Sequence, residues 1–141
     1  MARRRPALTP ARALHRAGFA NQAQVRVGRA IDSLEELARE SAGPFDFVFI
    51  DADKQSNAEY FAWALKLSRR GTVIVVDNVV RKGAVADAAS DDPAVQGVRR
   101  LNQAMAAEPR VSVTAMQTGG AKGYAGFAPA PANDSLAVTC A

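Results

Sequence analysis

The chain has 141 residues, 48% of them hydrophobic and 23% charged, with a formal net charge of +4. That length supports one domain around one core, that composition excludes an intrinsically disordered chain, and no run is long and apolar enough to cross a bilayer as a helix. Seven of the 18 basic residues lie in positions 1–30, which hold no acid, so positions 31–141 carry 11 bases against 14 acids.

The basic balance thus belongs to the amino-terminal end and not to the domain. This argues against a nucleic-acid face, which clusters its bases across a folded surface, and leaves Arg3 to Arg5 as the one segment that could hold RNA by charge. An Arg-rich, acid-free start also has the composition of a transit peptide; a solvated basic arm over residues 1–10 is the preferred reading. No apolar h-region is present, which argues against secretion and for a cytoplasmic protein. Cys140 is the sole cysteine and His15 the sole histidine. An internal disulfide and a Cys-based metal site are excluded, and a Ser-His-Asp triad has little to draw on.

In chain order, residues 11–17 read as a short helix stopped by Gly18, and 24–27 as a short strand ending at Gly28. Ile31, Leu34, Leu37 and Ala38 have helical spacing, and Gly43-Pro44 breaks that helix. Residues 45–50 form the clearest strand, almost wholly apolar, a pattern that suits a strand covered on both faces. A helix is predicted over 56–68 with Tyr60, Phe61, Ala64 and Leu65 inward. Residues 72–76 read as a second buried strand. The next helix is predicted from Ser90–Pro93 to about Ala107, with Val95, Val98, Leu101 and Met105 as its apolar stripe. Residues 111–116 alternate as a strand, 118–126 read as a glycine-rich turn, and 124–128 as a last antiparallel strand ended early by Pro129 and Pro131. The alternation of strand and helix gives an α/β fold with a mainly parallel sheet. The domain is expected over 11–130 and a loose tail over 131–141.

Ligands of open α/β sheets sit beyond the carboxyl ends of the strands. Both strong strands end in oxygen donors, Asp51 on one and Asp77 with Asn78 on the next. On neighbouring strands roughly 5 Å apart these groups converge. Two carboxylates and an amide, without His or Cys, suit a hard cation such as Mg²⁺. Lys54, three residues past Asp51, is placed to act as a general base. Each feature has a plainer reading: Asp51 or Asp53 as a helix cap, Lys54 as a solvated lysine, Asp77-Asn78 as a turn. Together they make a more specific pattern.

The stretch FDFVFIDADKQSNAEYFAWALKLSRRGTVIVVDNVVRKGAV resembles the core signature of the cation-dependent O-methyltransferases, the group of catechol and caffeoyl-CoA O-methyltransferases. The resemblance reaches back through ALHRAGFANQAQVRVGRAIDSLEEL and on through EPRVSV to TGGAKGYAGF, covering about residues 11–128. It implies a Rossmann-like sheet with an antiparallel last strand, and methyl transfer from S-adenosylmethionine to a phenolic or catechol-like hydroxyl of a small aromatic acceptor. By the same resemblance Asp51, Asp77 and Asn78 would hold the metal, with Asp51 also beside the acceptor. Lys54 would take the acceptor's proton, and Asp53 and Ala30 would touch the cofactor, Gly28 letting the backbone come close. A homodimer would also be compatible.

The chain departs from the family in several places. The family's first two strands, its Gly-rich loop and its ribose-binding acid have no counterpart here, so the sheet is expected to lack them and strand 45–50 to have one unpaired side. The resulting expectation is a truncated product or a mis-assigned start, with a non-catalytic remnant as the alternative. Arg81 and Lys82 stand where similar plant enzymes have an aromatic and an amide; they favour an anionic acceptor or simply form a solvated loop. The proline-rich end replaces the usual apolar last strand. A P-loop ATPase fragment is argued against by the absence of G-x-x-x-x-G-K-[ST], and a phospho-receiver domain by the absence of an acidic pair after an earlier strand.

Overall fold

The computed structural model describes residues 9–120 and 123–131. The arm expected before Thr9 and the tail expected after Pro131 lie outside the described residues. Contacts divide the chain into two compact units, one ending at Ser33 and one beginning at Leu34.

The first unit opens with helix α1 (Pro10–Arg16), whose Pro10 occupies the start, where no N–H is needed. Gly18 follows its end at φ 82°, a left-handed conformation that glycine adopts without steric cost, and its N–H donates to the His15 carbonyl at 3.1 Å. The strand predicted at 24–27 is not formed. No strand among the described residues pairs with it, Val27 stands 96% exposed, and a lone extended segment has nothing to hold it. Helix α2 (Ala30–Arg39) begins here and runs into the second unit, with Ile31, Leu34 and Leu37 forming its half-buried stripe.

The second unit is a Rossmann-like α/β assembly. Its strands are β1 (Phe45–Ile50), β2 (Ser68–Val76), β3 (Met116–Gly120) and β4 (Gly123–Pro131), in the order β1-β2-β4-β3. β1 and β2 are parallel and joined through helix α3 (Asn57–Lys66). β4 runs antiparallel to β2 and to β3, as the sequence predicted for the last strand. Helix α4 (Pro93–Ala107) starts where expected: Asp92 Oδ1 accepts from the Ala94 N–H at 2.7 Å, and Pro93 follows in the first turn. Its predicted stripe Val95, Val98, Leu101 and Met105 is buried, together with Phe61, Ile74 and Val76. No helix among the described residues is long and apolar enough to cross a membrane.

Three expectations are corrected. First, β1 is not covered on both faces: alternate residues point to opposite sides, and Phe47 and Phe49 are 59% and 56% exposed while Ile50 is buried. An apolar run reports what a strand can bury, not what reaches it. Second, the strand predicted at 111–116 forms instead at Met116–Gly120, pairing Met116 with Phe127 through to Gly120 with Gly123. The glycine-rich stretch is thus the ladder itself, and only positions 121–122 connect its strands. Third, β4 does not stop before Pro129: it continues through Pro129 to Pro131, its last residue. The two prolines pair in register with Val75 and Val73 of β2. The Pro129 carbonyl accepts from the Thr114 N–H at 3.1 Å, on the side away from β2. A residue's N and C=O point the same way in an antiparallel strand, so the missing N–H faces the region past the end of β3. Pro131, two residues on, faces the same side, and no bond to β2 is lost.

β2 begins four residues before its predicted start, and its register with β1 slips between Phe45 and Phe47. Thr72, fully buried, closes the slip: its hydroxyl donates to the Phe45 carbonyl at 2.5 Å and accepts from the Arg69 N–H at 2.9 Å. Thr72→Val keeps the shape and removes both bonds; chemical denaturation is expected to show a loss of about 1–3 kcal/mol, the cost of buried groups left unpaired.

Candidate active site

The last paired residues of the parallel ladder are Ile50 and Val76, and the Asp77 N–H donates to the Ile50 carbonyl at 3.0 Å. The next residue on each strand is an acid, Asp51 on β1 and Asp77 on β2. The ladder therefore places the two residues that carry the predicted carboxylates at adjacent strand ends, on the carboxyl edge of the sheet. Asn78 follows in a left-handed conformation, φ 59°, and its N–H donates to Asp77 Oδ1 at 2.7 Å. Asparagine tolerates this region better than most residues, which accounts for its place in so sharp a turn. Among the described residues no three His, Cys, Asp or Glu side chains gather as a metal cage. A cation here would take two carboxylates and the Asn78 amide, with its other positions open. That donor set fits a hard dication.

Lys54 heads a 3-10 turn (Lys54–Ser56) directly after the β1 end. It is 9% exposed, and its Nζ lies 2.9 Å from Asp51 Oδ1. A buried ammonium tied to a half-exposed carboxylate is not the solvated lysine of the plainer reading. Asp53, in contrast, is a cap: its carboxylate accepts from the Ser56 N–H at 3.1 Å and from the Tyr60 hydroxyl at 2.5 Å. The hydrogen bonds from Ser56 first, then from Tyr60, hold its carboxyl below the ordinary value of 3.8. Because the folded value is depressed, this stabilisation is present above 3.8 and is lost as pH falls through the folded value. Tyr60→Phe is expected to move the Asp53 titration, followed by carboxyl-carbon NMR, back toward 3.8.

Two glycines that sequence reasoning passed over brace these loops. Gly97, inside α4, faces the 3-10 turn so closely that a Cβ would stand 2.1 Å from the Lys54 carbonyl oxygen and 2.7 Å from the Gln55 Cα. Arg100, one turn later on α4, donates to the Gln55 carbonyl at 3.1 Å. Gly126 of β4 does the same for the other loop: its Cβ would stand 2.1 Å from Val80 Cγ2 and 2.7 Å from the Met116 carbonyl oxygen, and its own carbonyl accepts from the Val79 N–H at 2.7 Å. The available signal was a glycine in a helix interior, where it costs roughly 1 kcal/mol against alanine and so marks a close approach.

Gly28 and Ala30, predicted at the cofactor, lie in the first unit. Gly28 has φ 148° with open space around it, and Ala30 is exposed at the start of α2.

Residues 7–122 match the family described as O-methyltransferase. The chain is similar to the catechol O-methyltransferase of Niastella koreensis, 54% identical over 115 residues, which are 82% of this chain and 52% of that protein. Among solved structures it is similar to the Bacillus cereus O-methyltransferase in complex with SAH, with TM-score 0.81 and 56% identity over 88% of this chain and 55% of that one. It is also similar to the Streptomyces achromogenes O-methyltransferase of tomaymycin synthesis in complex with SAM, with TM-score 0.79 and 49% identity over 89% and 54%. The chain thus spans about half the length of the relatives it matches. With a family match across most of its length and an identity above one half, this chain belongs to the O-methyltransferase family.

Proposed function

We propose that this chain carries the acceptor-side, cation-binding part of an S-adenosylmethionine-dependent O-methyltransferase acting on a catechol-like hydroxyl. The observation that carries the reading is the Ile50–Val76 pairing, which sets Asp51 and Asp77 at adjacent strand ends with Lys54 bonded to Asp51. Similar proteins were crystallised with SAH and SAM, which supports the cofactor.

Asp51, Asp77 and Asn78 are the residues that would hold the dication. A dication held there would supply positive charge that favours the phenolate form of the acceptor. The cofactor supplies an electrophilic methyl group. Lys54, in its neutral amine form, would receive the hydroxyl proton of the acceptor and become the ammonium that Asp51 holds at the site. The close seat of the Lys54–Ser56 turn on Gly97 limits the motion of the amine. Asp53 caps the turn that carries Lys54, and its contribution to cofactor binding comes with that placement. A second reading is a chain that binds the cation without turnover.

The test is Mn²⁺ binding by electron paramagnetic resonance, alongside mass-spectrometric detection of methylated catechol in the presence of S-adenosylmethionine and Mg²⁺. Asp77→Ala is expected to weaken Mn²⁺ binding at least about tenfold, or ~1.4 kcal/mol, and to abolish product. Unchanged Mn²⁺ binding would remove Asp77 from the site. Metal binding without product in the unaltered chain would select the second reading.

A further inference from the structure

Of the two outer strands of the sheet, β1 is the one suited to take another strand. β3, at the far edge, ends in two glycines, and Met116 is its exposed apolar residue. β1 reads FDFVFI, with neither proline nor lysine, the residues that commonly guard an edge. Its one charge, Asp46, is engaged by Arg69 of β2. Phe47 and Phe49, on one face of the strand, are both more than half exposed.

The main chain of β1 is only half used. The Ile50 carbonyl accepts from the Asp77 N–H, so Ile50 faces β2. Bonding direction alternates along a strand, so Val48 faces β2 as well. The N–H and C=O groups of Phe47 and Phe49 then face the open side. Phe45 also faces β2, its N–H bonded to the Leu67 carbonyl; the register slip between Phe45 and Phe47 resets the alternation there. Among the described residues no strand pairs with the open side.

These open groups, two residues apart, match an antiparallel copy of the same strand. With Val48 opposite Val48 of the second copy, Phe47 faces that copy's Phe49 and Phe49 faces its Phe47. Each is a hydrogen-bonded pair that exchanges two bonds. Opposite residues share a face, so the phenylalanines meet as aromatic cross-strand pairs, which stabilise a ladder. The same register sets the two Asp46 residues at opposite ends of the joint, each across from an Ile50, and keeps like charges apart.

We infer that β1 is an interaction edge for a second copy of this chain, joining the two sheets edge to edge about a two-fold axis through Val48. The contact closes on itself, because each copy spends its one such edge. Four half-exposed rings bring roughly 400 Å² of apolar surface, well below the ~1,200 Å² at which standard interfaces begin. Main-chain pairing adds affinity, but the joint stays at the weak end, with a dissociation constant on the order of 10–100 µM.

Sedimentation equilibrium of the full chain up to about 500 µM, several times that constant, is expected to show monomer and dimer and nothing larger. Phe47→Lys alters an exposed position and supplies the usual guard of an edge. It should weaken association at least about tenfold and leave the monomer folded. Oxidative cross-linking in a Cys140→Ser background reads the register. Val48→Cys lies on the two-fold axis, where paired Cα atoms stand about 4.5 Å apart, within disulfide range, and should cross-link. Phe47→Cys meets its own copy only diagonally, at about 7–8 Å, and should not. A chain that stays monomeric throughout would overturn the inference, as would species beyond the dimer or association that Phe47→Lys leaves intact. Stronger cross-linking at Phe47→Cys than at Val48→Cys would mean that the phenylalanine faces stack instead, and the edge pairing would fall.

Discussion

Gly97→Ala is expected to lower stability by at least about 1–3 kcal/mol, the range for forcing an extra carbon into a packed core, and to disturb a side chain that it does not touch. The new methyl would collide with the Lys54 carbonyl oxygen and the Gln55 Cα. Backbone atoms cannot rotate aside as a flexible side chain can, so either α4 or the 3-10 turn must move. The turn is the weaker element, three residues long, and it carries Lys54. Denaturant unfolding should show the stability loss, and the ¹⁵N signal of Lys54 Nζ should shift as its 2.9 Å bond to Asp51 lengthens. A variant as stable as the parent with an unmoved Lys54 signal would show that Gly97 does not brace the turn.

Lys54→Met should separate activity from stability. If the proposed function holds, loss of the amine lowers methyl transfer by about 10²–10⁴-fold, the usual contribution of a positioned proton acceptor. Stability should stay level or rise, because an apolar chain of similar length replaces a buried charge. Asp51→Ala should act the other way and destabilise, since it strands the Lys54 ammonium with its partner gone. Thermal melts of the two variants, compared with product formation, check the asymmetry. A fall in melting temperature for Lys54→Met equal to that for Asp51→Ala would mean that the pair is there to hold the fold.

The legible parts of the fold were those governed by local pattern. Asp92 and Pro93 announced the start of α4, and its stripe of Val95, Val98, Leu101 and Met105 lies in the core. Asp51, Lys54 and Asp77 could be read as a candidate site because polar residues ending two apolar strands have few plain explanations, and the parallel ladder ends one residue before each acid. What depended on partners was not legible. The segment at 24–27 had strand-like residues and no neighbour. β4 runs through Pro129 and Pro131 because of which side of the strand lacks a ladder, a fact of the sheet and not of the residue. The hydroxyl of Tyr60, seven residues on, that donates to Asp53 was likewise not legible. The bracing glycines, having no side chain, left only a gap in the pattern.

The order of synthesis gives the bracing a further meaning. The proposed donors Asp51, Asp77 and Asn78 have left the ribosome once Asn78 is made, but Gly97 and Gly126, which seat the loops bearing them, emerge later. If the proposed function holds, a nascent chain carries these groups before the loops that bear them can be seated against α4 and β4.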